Sequence, residues 1–312
     1  CTAWKTCLAG EWIKTAGTST SDKVCQGCPI PASGAATIVS NCAIGDQIEL
    51  SGDLTVRGNA TTYTTITAAS SRRHFDITSG AHTLILKWLN LTGADISGNS
   101  GEDAKGGSIY VKDVAAQLNI SHCVFLNNRA KYGGAIYARD GQPNFLFSYV
   151  TFNQNHADQF GGAVYLQKGK LVDNSSIYTK NAAGMYGGAL CLFNGSYSSL
   201  FDSSLVSNTA EWGGGGIYIR GHSSVGPSFL NLSSVTLQSN KQIDGGTTGW
   251  KGGGGLNLYG KVTANIRECT FIRNEATEGS TGNKHGHQIF TYKSGSDIPS
   301  IAIVNTNFTD VS

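Results

Sequence analysis

The stretch Phe125-Leu126-Asn127-Asn128-Arg129-Ala130-Lys131-Tyr132-Gly133-Gly134-Ala135-Ile136 decides the fold, because its pattern recurs. Phe152-x-x-Asn155-x-Ala157 leads to Gly161-Gly162-Ala163-Val164, and Tyr178-x-x-Asn181-x-Ala183 leads to Gly187-Gly188-Ala189-Leu190. Leu205-x-x-Asn208-x-Ala210 leads to a glycine run ending at Gly216-Ile217, and Leu237-x-x-Asn240 and Phe271-x-x-Asn274-x-Ala276 continue the series. The asparagines at 128, 155, 181, 208, 240 and 274 are spaced by 27, 26, 27, 32 and 34 residues. A period of this size marks a repeat architecture, in which each unit buries its apolar face only by stacking on its neighbours.

Within each repeat the apolar residues alternate with period two, the mark of strands. After the glycines the alternating pairs are Ile109/Val111, Ile136/Ala138, Val164/Leu166, Leu190/Leu192, Ile217/Ile219 and Leu256/Leu258. A second segment reads Leu118/Ile120, Phe145/Phe147, Leu230/Leu232 and Ala264/Ile266. A third ends at the aromatic or leucine of the motif, as in Cys123/Phe125, Val150/Phe152 and Cys269/Phe271. Three short strands in so few residues leave no room for a crossover helix. The pattern therefore predicts an all-β chain, a right-handed parallel β-helix with three strands per coil and about nine coils. At the inter-strand spacing such a rod is on the order of 40 Å long.

The asparagines are expected in one tight turn, where Asn tolerates unusual backbone angles, with their amides bonded coil to coil as a ladder. The glycine pairs supply positive φ or let backbones approach closely. Pro143, Pro227 and Pro299 fall in one equivalent loop.

The chain has 312 residues, 14% charged, with 41 glycines, one methionine and a net charge of +2. This composition suits a tightly stacked extracellular β structure. It offers no basic stripe for nucleic acid and no apolar run long enough to insert in a membrane. The chain starts at Cys1 without a visible signal peptide, which reads as a mature or excised segment. Cys1, Cys7, Cys25, Cys28 and Cys42 cluster at the start, whereas Cys123, Cys191 and Cys269 are scattered. The cluster predicts a small disulfide module over residues 1–36 ahead of a β-helix over 37–312, in an oxidising compartment. Zinc at Cys25-x-x-Cys28 is a weaker alternative, because no second such pair stands at finger spacing. Sequons at Asn59, Asn90, Asn119, Asn174, Asn194, Asn231 and Asn307 are candidate glycosylation sites, though a chain this rich in Ser and Thr holds several by chance.

The Phe-x-x-Asn and Gly-Gly-Ala-(Ile/Leu/Val) pattern, from roughly Leu89 to Asn274, resembles the repeat of the chlamydial polymorphic outer-membrane protein family, shared by surface proteins of algae and other protists. The resemblance implies a β-helix displayed on a cell surface, often in adhesion. Cys1-x-x-Trp4-x-x-Cys7-x-x-Gly10-Glu11, followed by Val24-Cys25-x-x-Cys28-Pro29, resembles the latter part of a tumour-necrosis-factor-receptor-type cysteine-rich repeat. That second resemblance implies a Cys7–Cys25 bond, a Cys28–Cys42 bond, and a partner for Cys1 outside this segment.

Three features invite a chemical reading. Tyr110, Tyr137, Tyr165 and Tyr218 stand on the outward parity of their strands and predict a surface aromatic ladder, with Tyr132, Phe160, Tyr186, Trp212 and Trp250 beside the glycines. Such a ladder serves equally as ordinary strand pairing, a subunit interface or a platform for sugar rings. His285-Gly-His287 lacks the carboxylate or thiolate that would make it a metal site. Parallel β-helices also host polysaccharide-cleaving enzymes, which need clustered carboxylates. Here Lys131, Asp158, Gly184 and Glu211 share one turn position, and Arg72-Arg73-His74-Phe75-Asp76 reads as a loop anchoring the second coil. The expectation is a non-enzymatic structural or adhesive surface module, with no cofactor, associating head to tail or with neighbouring modules, and with glycans as further partners. The alternative is a carbohydrate-binding or polysaccharide-degrading β-helix.

Overall fold

The computed structural model describes residues 12–15, 24–26, 28–112, 114–243, 252–276 and 288–309. Short parallel strands stack into a β-helix with three main sheets. Sheet I has ten strands, running from Gly34–Thr37 through Gln117–Ser121, Asn144–Ser148, Lys170–Asn174 and Tyr197–Phe201 to Ser300–Val304. Sheet II also has ten, from Cys42–Ala43 to Asn307–Thr309, and sheet III has nine, from Ile48–Glu49 to Ile289–Tyr292. The described chain thus completes nine coils and begins a tenth. Its first strand, Gly34–Thr37, already pairs with Leu54–Arg57.

Alternation sets the inside. In sheet II the row Leu91, Phe125, Phe152, Tyr178, Leu205, Leu237, Phe271 is buried and in register. Phe125 and Phe152 stack at 5.0 Å, and Phe152 and Tyr178 at 4.9 Å. That separation is close to one coil, so each aromatic lies on the ring below it.

From the fourth coil to the ninth a further strand intervenes. Arg129–Tyr132, His156–Phe160, Ala182–Ala183, Thr209–Ala210, Lys241–Gln242 and Glu275–Ala276 form a six-stranded short sheet between sheets II and III. These coils therefore have four strands rather than the three expected. The left-handed backbone angle falls one residue before each ladder asparagine, on Asn127, Gln154, Lys180, Ser207, Ser239 and Arg273, with φ between 49° and 56°. The asparagine itself turns inward.

The two glycines of each pair differ in purpose. Gly133 has φ +60°, a left-handed angle that favours glycine. A Cβ on Gly134 would lie 2.2 Å from the Gly162 carbonyl oxygen of the next coil. The first glycine turns the corner, and the second lets the coils touch.

Cys28 and Cys42 form a disulfide with Cα atoms 5.3 Å apart, tying the segment before the first strand to the first coil. Trp12–Thr15 and Val24–Gln26 pair antiparallel. Cys1, Cys7 and the Cys25 side chain lie outside the described residues, as do Trp250 and His285-Gly-His287. Cys123, Cys191 and Cys269 are buried free thiols, and burial pushes Cys123 up to about 12.

Candidate functional site

The asparagine ladder is internal. The Nδ2 of Asn155 donates to Asn181 Oδ1 and to the Phe125 carbonyl, both at 3.0 Å. Its Oδ1 accepts from Asn128 Nδ2 and from the Asn128 backbone N–H, both at 3.1 Å. Asn181, Asn208, Asn240 and Asn274 repeat the scheme, and Asn274 Nδ2 passes the last bond to Gln288 Oε1 at 2.6 Å. All six asparagines are buried, so the ladder holds the coils in register and presents nothing to solvent.

The tyrosine row is not a surface. Tyr110, Tyr137, Tyr165 and Tyr218 are only 2–7% exposed and form a second apolar cluster outside sheet III. The short sheet causes this. Its aromatics Tyr132 and Phe160, with Tyr186 bridged to Phe160 from the next coil, fold over the row; the Tyr186 and Tyr218 rings are 4.4 Å apart and Tyr132 stands edge-on to Tyr137 at 6.3 Å. Burial raises Tyr137, Tyr165 and Tyr218 above the ordinary phenol range. The interface and sugar-platform readings of this row fail, because its faces are already covered.

The row ends in the charged loop of the second coil. Arg73 is 1% exposed, bonds Asp76 at 2.9 Å and lays its guanidinium 4.6 Å from the Tyr110 ring centre. His74 bonds Ile66 O and Ser108 Oγ, each at 3.0 Å, and burial lowers it to about 4. Burial raises Asp76 to about 6 against the pull of Arg73. A cleft of about 240 Å³ opens beside it, lined in part by Asp46, Glu49, Arg72, Arg73 and Asp103. Asp46 is paired with Arg72 at 2.8 Å.

The exposed aromatic surface lies elsewhere, on the outer face of sheet I and its corner with sheet II. Trp88, His122 and Tyr149 form a corner row, with His122 and Tyr149 rings 5.0 Å apart. Tyr197 is 51% exposed and stacks on Phe229 of the next coil at 4.8 Å. These residues stand on turn positions or outward strand parity, so a count of aromatics in the motif itself misses them.

Asp158 pairs with Arg129 at 2.9 Å and lies 3.3 Å from His156, a surface ion cluster on the short sheet. Among the sequons, Asn59, Asn231 and Asn307 are exposed, and Asn90, Asn119, Asn174 and Asn194 are half-buried. Asn231 Oδ1 accepts from Asn265 Nδ2 at 2.9 Å. Among the described residues, no cluster of three or more His, Cys, Asp or Glu is placed to hold a metal ion, and no helix is long and apolar enough to cross a membrane.

Residues 122–139 and 149–167 match the Chlamydia polymorphic membrane protein repeat. Each matched segment runs from the corner before sheet II, through the short strand and the glycine pair, to the end of a sheet III strand. Over 256 residues, 70% of this chain, the sequence is 26% identical to a protein of Escherichia coli (strain K12) described as a probable autotransporter, YfaL. The chain spans 20% of that relative's length. No solved structure matches it. The chain is thus a parallel β-helix repeat protein, and two of its coils match the polymorphic membrane protein repeat.

Proposed function

We propose that this chain is a non-enzymatic structural or adhesive β-helix displayed at the cell surface, whose last described coil is covered in use by a further coil. The repeat match and the autotransporter similarity support display and adhesion. The observation that carries the end contact is a bare edge. Ile303 and Phe308 are 44% and 46% exposed, while Ile266 and Phe271, in register one coil earlier, are 1% and 0% exposed. Strands with one open side template further pairing. The covering coil comes from a second copy or from a neighbouring module of a longer chain. Repeated end-to-end contact would give a filament, because a heterologous contact that does not close runs on.

Light scattering over a concentration series tests this. The native chain should gain mass as concentration rises, and Phe308→Ser with Ile303→Lys should remain monomeric. A native chain that stays monomeric, with the last coil's amides protected from exchange, would sink the proposal.

One observation favours a second reading, a carbohydrate-active β-helix: the cleft beside Arg73 gathers Asp46, Glu49 and Asp103. Two arginines already pair with Asp46 and Asp76, which suits an ion cluster closing the tyrosine row. Release of reducing ends from a polysaccharide panel, abolished by Glu49→Gln or Asp103→Asn, would replace the first reading with this one.

A further inference from the structure

We propose that the cleft at the corner between sheets III and I, in front of Tyr197, is a socket for an acidic sugar residue bearing a carboxylate or sulfate. It lies on the flank of the rod, so it stands independently of the contact proposed for the terminal coil.

The socket encloses about 420 Å³, within the range of small-ligand sites. Its back wall comes from sheet I, where Asn144, Lys170, Tyr197 and Phe229 occupy one register position on four successive coils. The first three side chains point outward. Phe229 stacks against Tyr197 at 4.8 Å with the planes 15° apart, which holds the tyrosine ring in one orientation. The residue in register on the opposite side of Tyr197 is Lys170, not another aromatic. Tyr197 is half exposed and lines the cleft, so its ring offers the flat apolar surface on which the C–H face of a pyranose packs.

Polar groups surround this face. Gln142 and Asn144 line the cleft with amides that donate and accept, as sugar hydroxyls require. No carboxylate lines it. Lys168 shares the Asp140 carboxylate with Arg139, at 2.7 and 3.1 Å. Lys170 has no ion-pair partner among the described residues and sets a positive charge beside the ring. A neutral sugar would use the stack and the amides but waste the ammonium. An acidic sugar uses all three. Lys170 is exposed, so its attraction for the acid is screened by salt.

Calorimetric titration of the whole chain with oligomers of polygalacturonate, with dextran sulfate and with neutral dextran tests the socket. At low salt the chain should bind one or both acidic probes and ignore the dextran. Which probe binds identifies the acid group. Tyr197→Ala and Lys170→Gln should each weaken binding by about tenfold, whereas Tyr197→Phe keeps it. Lys180→Gln, an exposed lysine at another corner, serves as the control. Absence of binding to both acidic probes, equal binding of dextran, or equal losses in Lys180→Gln and Lys170→Gln would each overturn the proposal.

Discussion

A ladder asparagine such as Asn181 uses both amide hydrogens and both carbonyl lone pairs, and none of its partners is water. Removing it orphans the Asn155 N–H and one Asn155 amide hydrogen and strips the Phe152 carbonyl of its side-chain donor. At roughly 1–3 kcal/mol for each buried group left without a partner, Asn181→Ala should cost about 3 kcal/mol or more. Asn181→Asp keeps the shape but points an acceptor at the Phe152 carbonyl, so it should also destabilise strongly. Urea unfolding of both variants checks this, and a near-native midpoint for the aspartate would contradict it. Asp173 is the opposite kind of residue, a carboxyl in an apolar row. It bonds Tyr178 Oη at 3.2 Å and Ser203 Oγ at 3.1 Å. Burial raises it from 3.8 to about 6, although the Ser176, Ser203 and Tyr178 hydroxyls favour the charged form. A carboxyl raised on folding contributes stability that is full below pH 3.8 and is lost as pH rises through about 6. The gap corresponds to about 3 kcal/mol. The native chain should therefore gain stability relative to Asp173→Asn between pH 7 and pH 4. Asp76 acts in the same direction and His74 in the opposite one, so only the paired comparison isolates Asp173. Parallel unfolding curves across that range would refute the assignment.

At the scale of elements, the glycine pair explains why coils stack so tightly on the side of the short sheet. A Cβ on Gly162 would lie 2.1 Å from Gly188 O and 2.5 Å from Ala182 O, and both are backbone atoms of the next coil. Gly162→Ala should lower the unfolding free energy by more than about 3 kcal/mol, because neither strand can yield alone. Gly98 has open space around its Cβ position, so Gly98→Ala should be nearly neutral. Equal thermal midpoints for the two variants would refute the close approach. The strands of sheets I, II and III were legible because their alternation is strict, as in Leu118/Ile120 and Phe125. The short sheet was not. Ala182–Ala183 and Thr209–Ala210 are two residues long, too short to alternate. With that sheet unseen, Tyr137 and Tyr165 stood on an outward parity that the fold in fact covers. The paired aromatics on both sides of the glycines, Tyr132 with Tyr137 and Phe160 with Tyr165, were the available signal of a second packed layer. Tyr197 was unreadable as a site for a related reason: its value depends on Phe229 and Lys170, which are neighbours only through register.

The described coils form a stack with one coordinate that matters, its length. Ten strands in sheet I at the inter-strand spacing extend about 43 Å. Coils contact chiefly their neighbours, with a few longer ties such as the Ser223 N–H to Asp297 Oδ2 bond at 2.8 Å, so the flank and the last described coil can serve different partners. The flank carries the exposed tyrosine and lysine of sheet I. The last described coil carries the bare apolar edge at Ile303 and Phe308. The rod is proposed to meet its partner end on. Small-angle X-ray scattering over a concentration series tests it most directly. The maximum dimension should grow by about one rod length while the cross-sectional radius stays constant. A maximum dimension that never changes, or a cross-section that widens as molecules pack side by side, would contradict it.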